Sequence, residues 1–294
     1  MKNYISSPGK TTKILSDNNI RLRKSLGQNY IIDTNSVKKM VSITRVSRED
    51  IILEIGCGIG SLTEILLENG PAKIICIEVD RKVAEVFRNI FHEKIEDGMI
   101  ELIIEDAMDI DYGKLSSTNN INKMVSNLPY KIAAPLILKI LRETEKISQS
   151  WMTIQKDIAD RLTAEPGDKN YSSYTVKSNT LASYRSCFKI SRNCFLPKPF
   201  VDSSVIEVTR KKIPEELGSE GGIEKFFDLV NASFAHRRKM LLNSLSKSKD
   251  FSQKLDSIAK LLPEIGKNKE VLLHALLCFF LFLAEALLCC PISG

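Results

Sequence analysis

The residue types best suited to chemistry lie in Val125-Ser126-Asn127-Leu128-Pro129-Tyr130. Proline fixes its own φ and keeps the residue before it extended, so Leu128 is expected to hold its backbone carbonyl outward. The Asn127 side-chain oxygen and that carbonyl then make two neighbouring acceptors, with the Tyr130 ring beside them. Two acceptors and an aromatic face suit a flat group bearing an NH2, such as an adenine swung out of its stack. The competing reading is a strand ending in a turn, with Tyr130 as core filler.

A second constellation lies upstream. Glu54 to Gly60 reads E-x-G-x-G-x-G, an apolar run (51–55) followed by Gly56, Gly58 and Gly60. A strand, a glycine turn and a helix N-terminus let backbone approach a ligand closely. The dinucleotide fingerprint G-x-G-x-x-G does not fit, because Ser61 and Thr63 stand where its third glycine is required. The spacing suits a nucleoside-type ligand without a pyrophosphate. Glu78 ends the next apolar run and can accept from both hydroxyls of a ribose. Asp106 ends the third run and can take a hydrogen bond from a base's exocyclic amine. Singly, each acid reads as a loop residue or a helix cap. Together, at successive strand ends, they mark the carboxyl edge of an open α/β sheet.

The elements that must position these groups follow a βαβαβ pattern. Strands are expected at 51–55, 73–79, 100–105, a fourth leading into Asn127, 151–155 and 205–209, with helices at 80–91, 133–143 and 157–164. Asp33 or Thr34 can cap a helix through Val37, Met40 and Val41. Neither Gln28 nor Asn29 has a local explanation beyond capping or turn duty. The prolines of 195–204 would hold Phe195 in a defined pose, either stacked on a base or packed in a core. Residues 1–20 read as a flexible basic arm and 21–212 as the main domain. A Gly/Pro-rich linker from 213 opens a C-terminal helical domain reaching 294.

The 294 residues carry a net charge of +6, with 27% charged and 43% hydrophobic residues, an ordinary balance for a globular chain. Basic residues gather in 1–30 and at His236-Arg237-Arg238-Lys239, which suits a polyanion such as nucleic acid. Seven cysteines show no CxxC pair and no histidines at metal spacing, so neither a disulfide framework nor a metal site is expected, and the compartment is a reducing cytoplasm. The N-terminus lacks the apolar core of a signal peptide. Val271–Ile292 is apolar except for His274 and Glu285; as a helix it would span about 33 Å. A buried helix is preferred there to a membrane anchor, because Glu285 sits mid-run; a translated frameshift is the third reading.

With these motifs in order, the chain resembles the ribosomal RNA adenine-N6 dimethyltransferases. The match runs from about Arg21 to Leu245. It rests on KSLGQNYIID, LEIGCGIGSLTE, IEVD, EDA, SNLPY, QKDIADRLTAEPG, FLPKPFVDSSV and SFAHRRKMLLNSL. The resemblance implies an α/β fold: a Rossmann-like seven-stranded S-adenosylmethionine-dependent methyltransferase sheet, mostly parallel with one reversed strand, and a small all-helical C-terminal domain. It implies S-adenosylmethionine as methyl donor, with no metal, and small-subunit ribosomal RNA as partner, with no DNA, no membrane and a monomeric enzyme. By residue, it implies that Asn29 and Ile31 line the donor pocket, Gly56 and Gly58 admit the methionine moiety, Glu78 holds the ribose and Asp106 reads the donor's adenine. Asn127 and the Leu128 carbonyl would receive the target amine, with Tyr130 and Phe195 stacking on the flipped base. Departures from the family pattern are Cys57 in place of proline, Lys131–Ala134 in place of a NIST-like run, Ser172–Tyr174 in place of a Gly-Arg-Leu-like stretch, and the apolar tail. The rivals are the large-subunit methylases of macrolide resistance and a non-catalytic ribosome-assembly factor on the same fold.

Overall fold

The computed structural model describes residues 2–23, 27–213, 217 and 221–235. The basic knot at 236–239, most of the SFAHRRKMLLNSL motif and the apolar tail lie outside the described residues. The chain divides into two compact units, one made of 1–159 and 182–210, the other of 160–181 and 211 onward.

The first unit holds a seven-stranded sheet. Its strands in chain order are β2 (Ile51–Ile55), β3 (Lys73–Ile77), β4 (Ile100–Ile103), β5 (Lys123–Asn127), β6 (Gln149–Gln155), β7 (Ala182–Ile190) and β9 (Ser203–Arg210). Their spatial order is β4-β3-β2-β5-β6-β9-β7. β4, β3, β2, β5 and β6 pair in parallel, and β9 runs antiparallel to both β6 and β7. A single reversed strand in a mostly parallel sheet is the expected topology. β2 and β3 are buried almost throughout, as strands covered on both faces must be, which is why they read as continuous apolar runs. Strand order reverses between β2 and β5, so their carboxyl ends open a crevice.

Helices α2 (Thr34–Thr44), α3 (Thr63–Glu68), α4 (Arg81–Ile90), α5 (His92–Glu96), α6 (Tyr112–Asn119) and α7 (Ala133–Glu143) connect or flank the strands. Asp33 caps α2 through the Ser36 N–H, and Asp80 caps α4 through the N–H groups of Lys82 and Val83. α7 buries Leu136, Ile137, Ile140 and Leu141, the stripe its spacing predicts. A short ladder joins β1 (Tyr30–Ile31) to β8 (Phe195–Leu196), antiparallel, with Tyr30 opposite Leu196 and Ile31 opposite Phe195.

Two expectations need correction. Residues 1–20 do not form a loose arm: Pro8–Asp17 is a helix, α1, and Ile5, Thr11 and Leu15 are buried. Glu64 on α3 accepts the Ile5 N–H at 2.7 Å and faces Lys2 and Lys10, while Ser6 and Thr34 share a hydroxyl hydrogen bond. The segment is ordered by acids and hydroxyls distant in sequence, which no local pattern reveals. The domain boundary also differs, since 160–181 belong with the second unit. That unit contains the end of α8 (Lys156–Leu162), α9 (Ser173–Leu181) and α10 (Gly222–Phe234). Lys177 on α9 donates to Asn231 on α10 at 2.8 Å and lies over the Phe227 ring, and Tyr171 meets Phe234.

Candidate active site

The crevice at the carboxyl ends of β2, β3, β4 and β5 is a cavity that brings together Asn29, Ile31, Gly56, Gly58, Glu78, Asp106, Asn127 and Leu128. These eight predicted residues come from five segments of the chain. Tyr130 and Phe195 are not among its lining residues.

Asn127 ends β5. Its amide nitrogen donates to the Asn29 carbonyl at 2.8 Å, which fixes the amide's orientation and leaves Oδ1 buried with no hydrogen-bond partner. An orphaned buried acceptor costs about 1–3 kcal/mol, so one held by its own NH2 group marks a place where a donor is meant to arrive. Leu128 is buried and its N–H donates to Thr153, which ties the turn to the neighbouring strand.

The glycine turn forms one wall. Gly56 and Gly58 have φ of +73° and +57°, and a Cβ on Gly58 would meet the Tyr30 ring at 2.7 Å. Backbone is therefore exposed to the cavity where a side chain cannot fit. Glu78 is buried, and its carboxylate accepts from the Gly58 N–H and the Asp80 N–H, each at 2.9 Å. Burial raises its pKa while these backbone donors oppose the rise. The same two bonds hold the carboxylate at the end of β3 and pin the glycine turn. Asp106 is exposed, with one oxygen accepting from the Met108 N–H at 2.9 Å.

Gln28 and Asn29, unexplained locally, find their reasons here. Gln28 receives the Arg23 N–H and donates to Asp80, while Asn29 supplies the carbonyl that orients Asn127. Tyr30, Glu54 and Ser61, to which the sequence assigns no role in the site, also line the cavity. The Tyr30 hydroxyl and Ser61 Oγ are buried without partners, and burial, with Glu78 and Asp80 adding, pushes the Tyr30 pKa up. Glu54 is 2% exposed and accepts from the Thr63 hydroxyl at 2.8 Å. Burial lifts its pKa to about 8. Its signal was a single acid inside an apolar strand.

The aromatic pair is placed differently from the expected base-stacking pose. Phe195 is 2% exposed within the apolar core, and Tyr130 meets it edge-on with ring centroids 6.3 Å apart. The Tyr130 hydroxyl is bonded to Ser203 at the start of β9, and burial, opposed by that bond, pushes its pKa up to about 12. In this conformation the two rings brace the turn that carries Asn127 and Leu128. The prolines that follow it, Pro197 and Pro199, did not place Phe195 on the surface of the cavity, because its pairing with Ile31 turns it into the core.

Three unpaired buried polar atoms and a glycine wall around one cavity fit a ligand carrying a nucleoside and an amino-acid moiety, as S-adenosylmethionine does. Among the described residues, no group of three or more His, Cys, Asp or Glu could hold a metal, and no helix is long and apolar enough to cross a membrane.

Comparison with known proteins agrees. Residues 19–272 match the family model for ribosomal RNA adenine dimethylase. A ribosomal RNA small subunit methyltransferase A from Halothermothrix orenii is 32% identical over 92% of this chain and 89% of its own. The protein of the same name from Geobacillus thermodenitrificans is 33% identical over 90% of each. The fold matches a dimethyladenosine transferase from Plasmodium falciparum (TM-score 0.69, 22% identity, 86% of this chain and 96% of that one). It also matches the 23S rRNA methyltransferase ErmE (TM-score 0.60, 20% identity, 84% and 96%). The chain belongs to the ribosomal RNA adenine dimethylase family, whose members are S-adenosylmethionine-dependent methyltransferases acting on ribosomal RNA.

Proposed function

We propose that this enzyme methylates N6 of two adjacent adenosines near the 3′ end of small-subunit ribosomal RNA, giving N6,N6-dimethyladenosine, and that it works as a monomer in the cytoplasm. The observation that carries the reading is the buried, unpartnered Asn127 Oδ1 facing the cavity. The names of the relatives, both small-subunit methyltransferases, favour that substrate over large-subunit RNA. The free thiols of Cys57, Cys76, Cys187 and Cys194 support a reducing compartment.

S-adenosylmethionine, when bound, supplies an electrophilic methyl on a cationic sulfur. Gly56 and Gly58 would admit its methionine part, Glu78 would accept from its ribose hydroxyls, Asp106 would accept from its adenine amine, and Asn29 and Ile31 would close the near side. The target adenine amine is a poor nucleophile because its lone pair is delocalised into the ring. Asn127 Oδ1 and the Leu128 carbonyl accept its two N–H groups, which favours a pyramidal nitrogen with the lone pair directed at the methyl. Holding both partners in line supplies much of the rate, and the two acceptors stabilise positive charge developing on nitrogen. The proton released passes to water. Tyr130 and Phe195 hold the acceptor turn in place.

The test is transfer of labelled methyl to small ribosomal subunits lacking adenine dimethylation and, separately, to unmethylated large-subunit RNA, followed by nucleoside analysis. Dimethyladenosine in the small subunit alone is expected. Label in large-subunit RNA alone would move the enzyme to the resistance class. Tight subunit binding without label would leave an assembly factor.

A further inference from the structure

The described part of the chain exposes one large aromatic almost completely. Phe200 is 91% exposed and Val201 beside it 39%, although phenylalanine is among the residue types most often fully buried. Phe200 is not on a loose loop. It follows Pro197 and Pro199, the Arg192 guanidinium donates to its carbonyl at 3.1 Å, and Asp202 is tied to the Arg192 and Lys156 backbone N–H groups. The ring is thus presented on a braced support. That support lies at the working edge of the sheet: Ser203 pairs with Gln155 at the carboxyl end of β6, Asn127 pairs with Thr153 on the same strand, and Ser203 is bonded to Tyr130.

We propose that Phe200 is a substrate-positioning residue that stacks on an unpaired ribosomal RNA nucleotide flanking the target adenosines. This rests on the proposed RNA substrate. An apolar protein partner would suit the ring alone, but its setting is net cationic: Lys189, Arg192 and Lys198 are exposed around the loop against one acid, Asp202, whose carboxylate accepts the Arg192 N–H. A flat apolar face beside cations is the arrangement that takes single-stranded nucleic acid, with stacking on the base and charge on the phosphates. Seated so, a neighbouring nucleotide fixes the register in which the target base enters the cavity.

The test uses the full-length enzyme with small ribosomal subunits lacking dimethylation, measuring KM, kcat, subunit Kd and donor Kd for wild type, Phe200→Ala and Phe200→Trp. Loss of one stacked base predicts at least about a fivefold rise in KM and subunit Kd for Phe200→Ala. Donor affinity should be unchanged, and Phe200→Trp should restore subunit binding. Wild-type methylation with unchanged KM and Kd in Phe200→Ala would overturn the inference and leave the ring to a protein partner. A wild type that binds subunits without methylating them, and loses binding in Phe200→Ala, would overturn the proposed activity while supporting this contact.

Discussion

Asn127→Ala separates the two duties of one amide. Its Oδ1 is the buried unpaired acceptor proposed to receive the target amine, and its Nδ2 donates to the Asn29 carbonyl at 2.8 Å. Removing a preorganised hydrogen-bonding group aimed at transition-state charge costs about 10²- to 10³-fold in kcat. Removing the Asn29 bond costs about 0.5–1.5 kcal/mol of stability, and frees a segment that also lines the donor side of the cavity. The expected variant is folded, melts a few degrees lower, binds donor a little more weakly and binds small subunits normally. Its single-turnover rate with saturating donor and subunit falls by about two to three orders of magnitude. Single-turnover chemistry, donor titration and thermal melting on the same preparation separate these effects. A single-turnover rate within about tenfold of wild type would refute the acceptor role, because a group on which the nitrogen's geometry depends cannot be so cheaply removed. A rate loss seen only below saturating donor, together with a loss of donor affinity, would show that Asn127 serves the donor pocket alone.

Three further outcomes follow from the geometry. Gly58→Ala places a Cβ 2.7 Å from the Tyr30 ring at a φ of +57°, so calorimetric titration with S-adenosylhomocysteine should show at least about a tenfold loss of affinity, with about 1–2 kcal/mol of backbone strain beneath it; normal affinity would remove the glycine wall from the donor site. Glu54 titrates at about 8 in the folded protein, above its ordinary 4.5, because of burial. Its neutral form favours folding fully below pH 4.5, and that contribution is lost as pH rises towards 8. The melting temperature of wild type should therefore fall more steeply from pH 5 to 9 than that of Glu54→Gln, and parallel curves would refute the assignment. Lys123→Ala leaves Asp50, which the ammonium meets at 2.7 Å at the amino ends of β2 and β5, as a buried carboxylate with its cation gone. A loss of about 3–5 kcal/mol in denaturant unfolding is expected, and a loss below about 1 kcal/mol would mean the pair behaves as a surface bridge.

The sequence by itself determined the parallel half of the sheet, because strands buried on both faces must be apolar throughout and glycines and acids must stand at their ends. β2 and α7 fall where the apolar runs and spacing place them. The glycine turn, Glu78, Asp106 and Asn127 were legible for the same reason: each is a polar or glycine punctuation mark at a fixed point of a βαβ unit. β7 carried no such signal, since it is a largely exposed edge strand with mixed residues. Tertiary structure alone decided which polar atoms are spoken for. Only the fold shows that Asn29 orients Asn127, that Gln28 reaches Asp80, and that Tyr30 and Ser61 reach the cavity with unpaired hydroxyls. It alone sent Phe195 into the core while leaving Phe200, five residues on, in water. A one-dimensional pattern records which residues prefer burial, whereas the partner that satisfies each group is chosen by strands and helices distant along the chain.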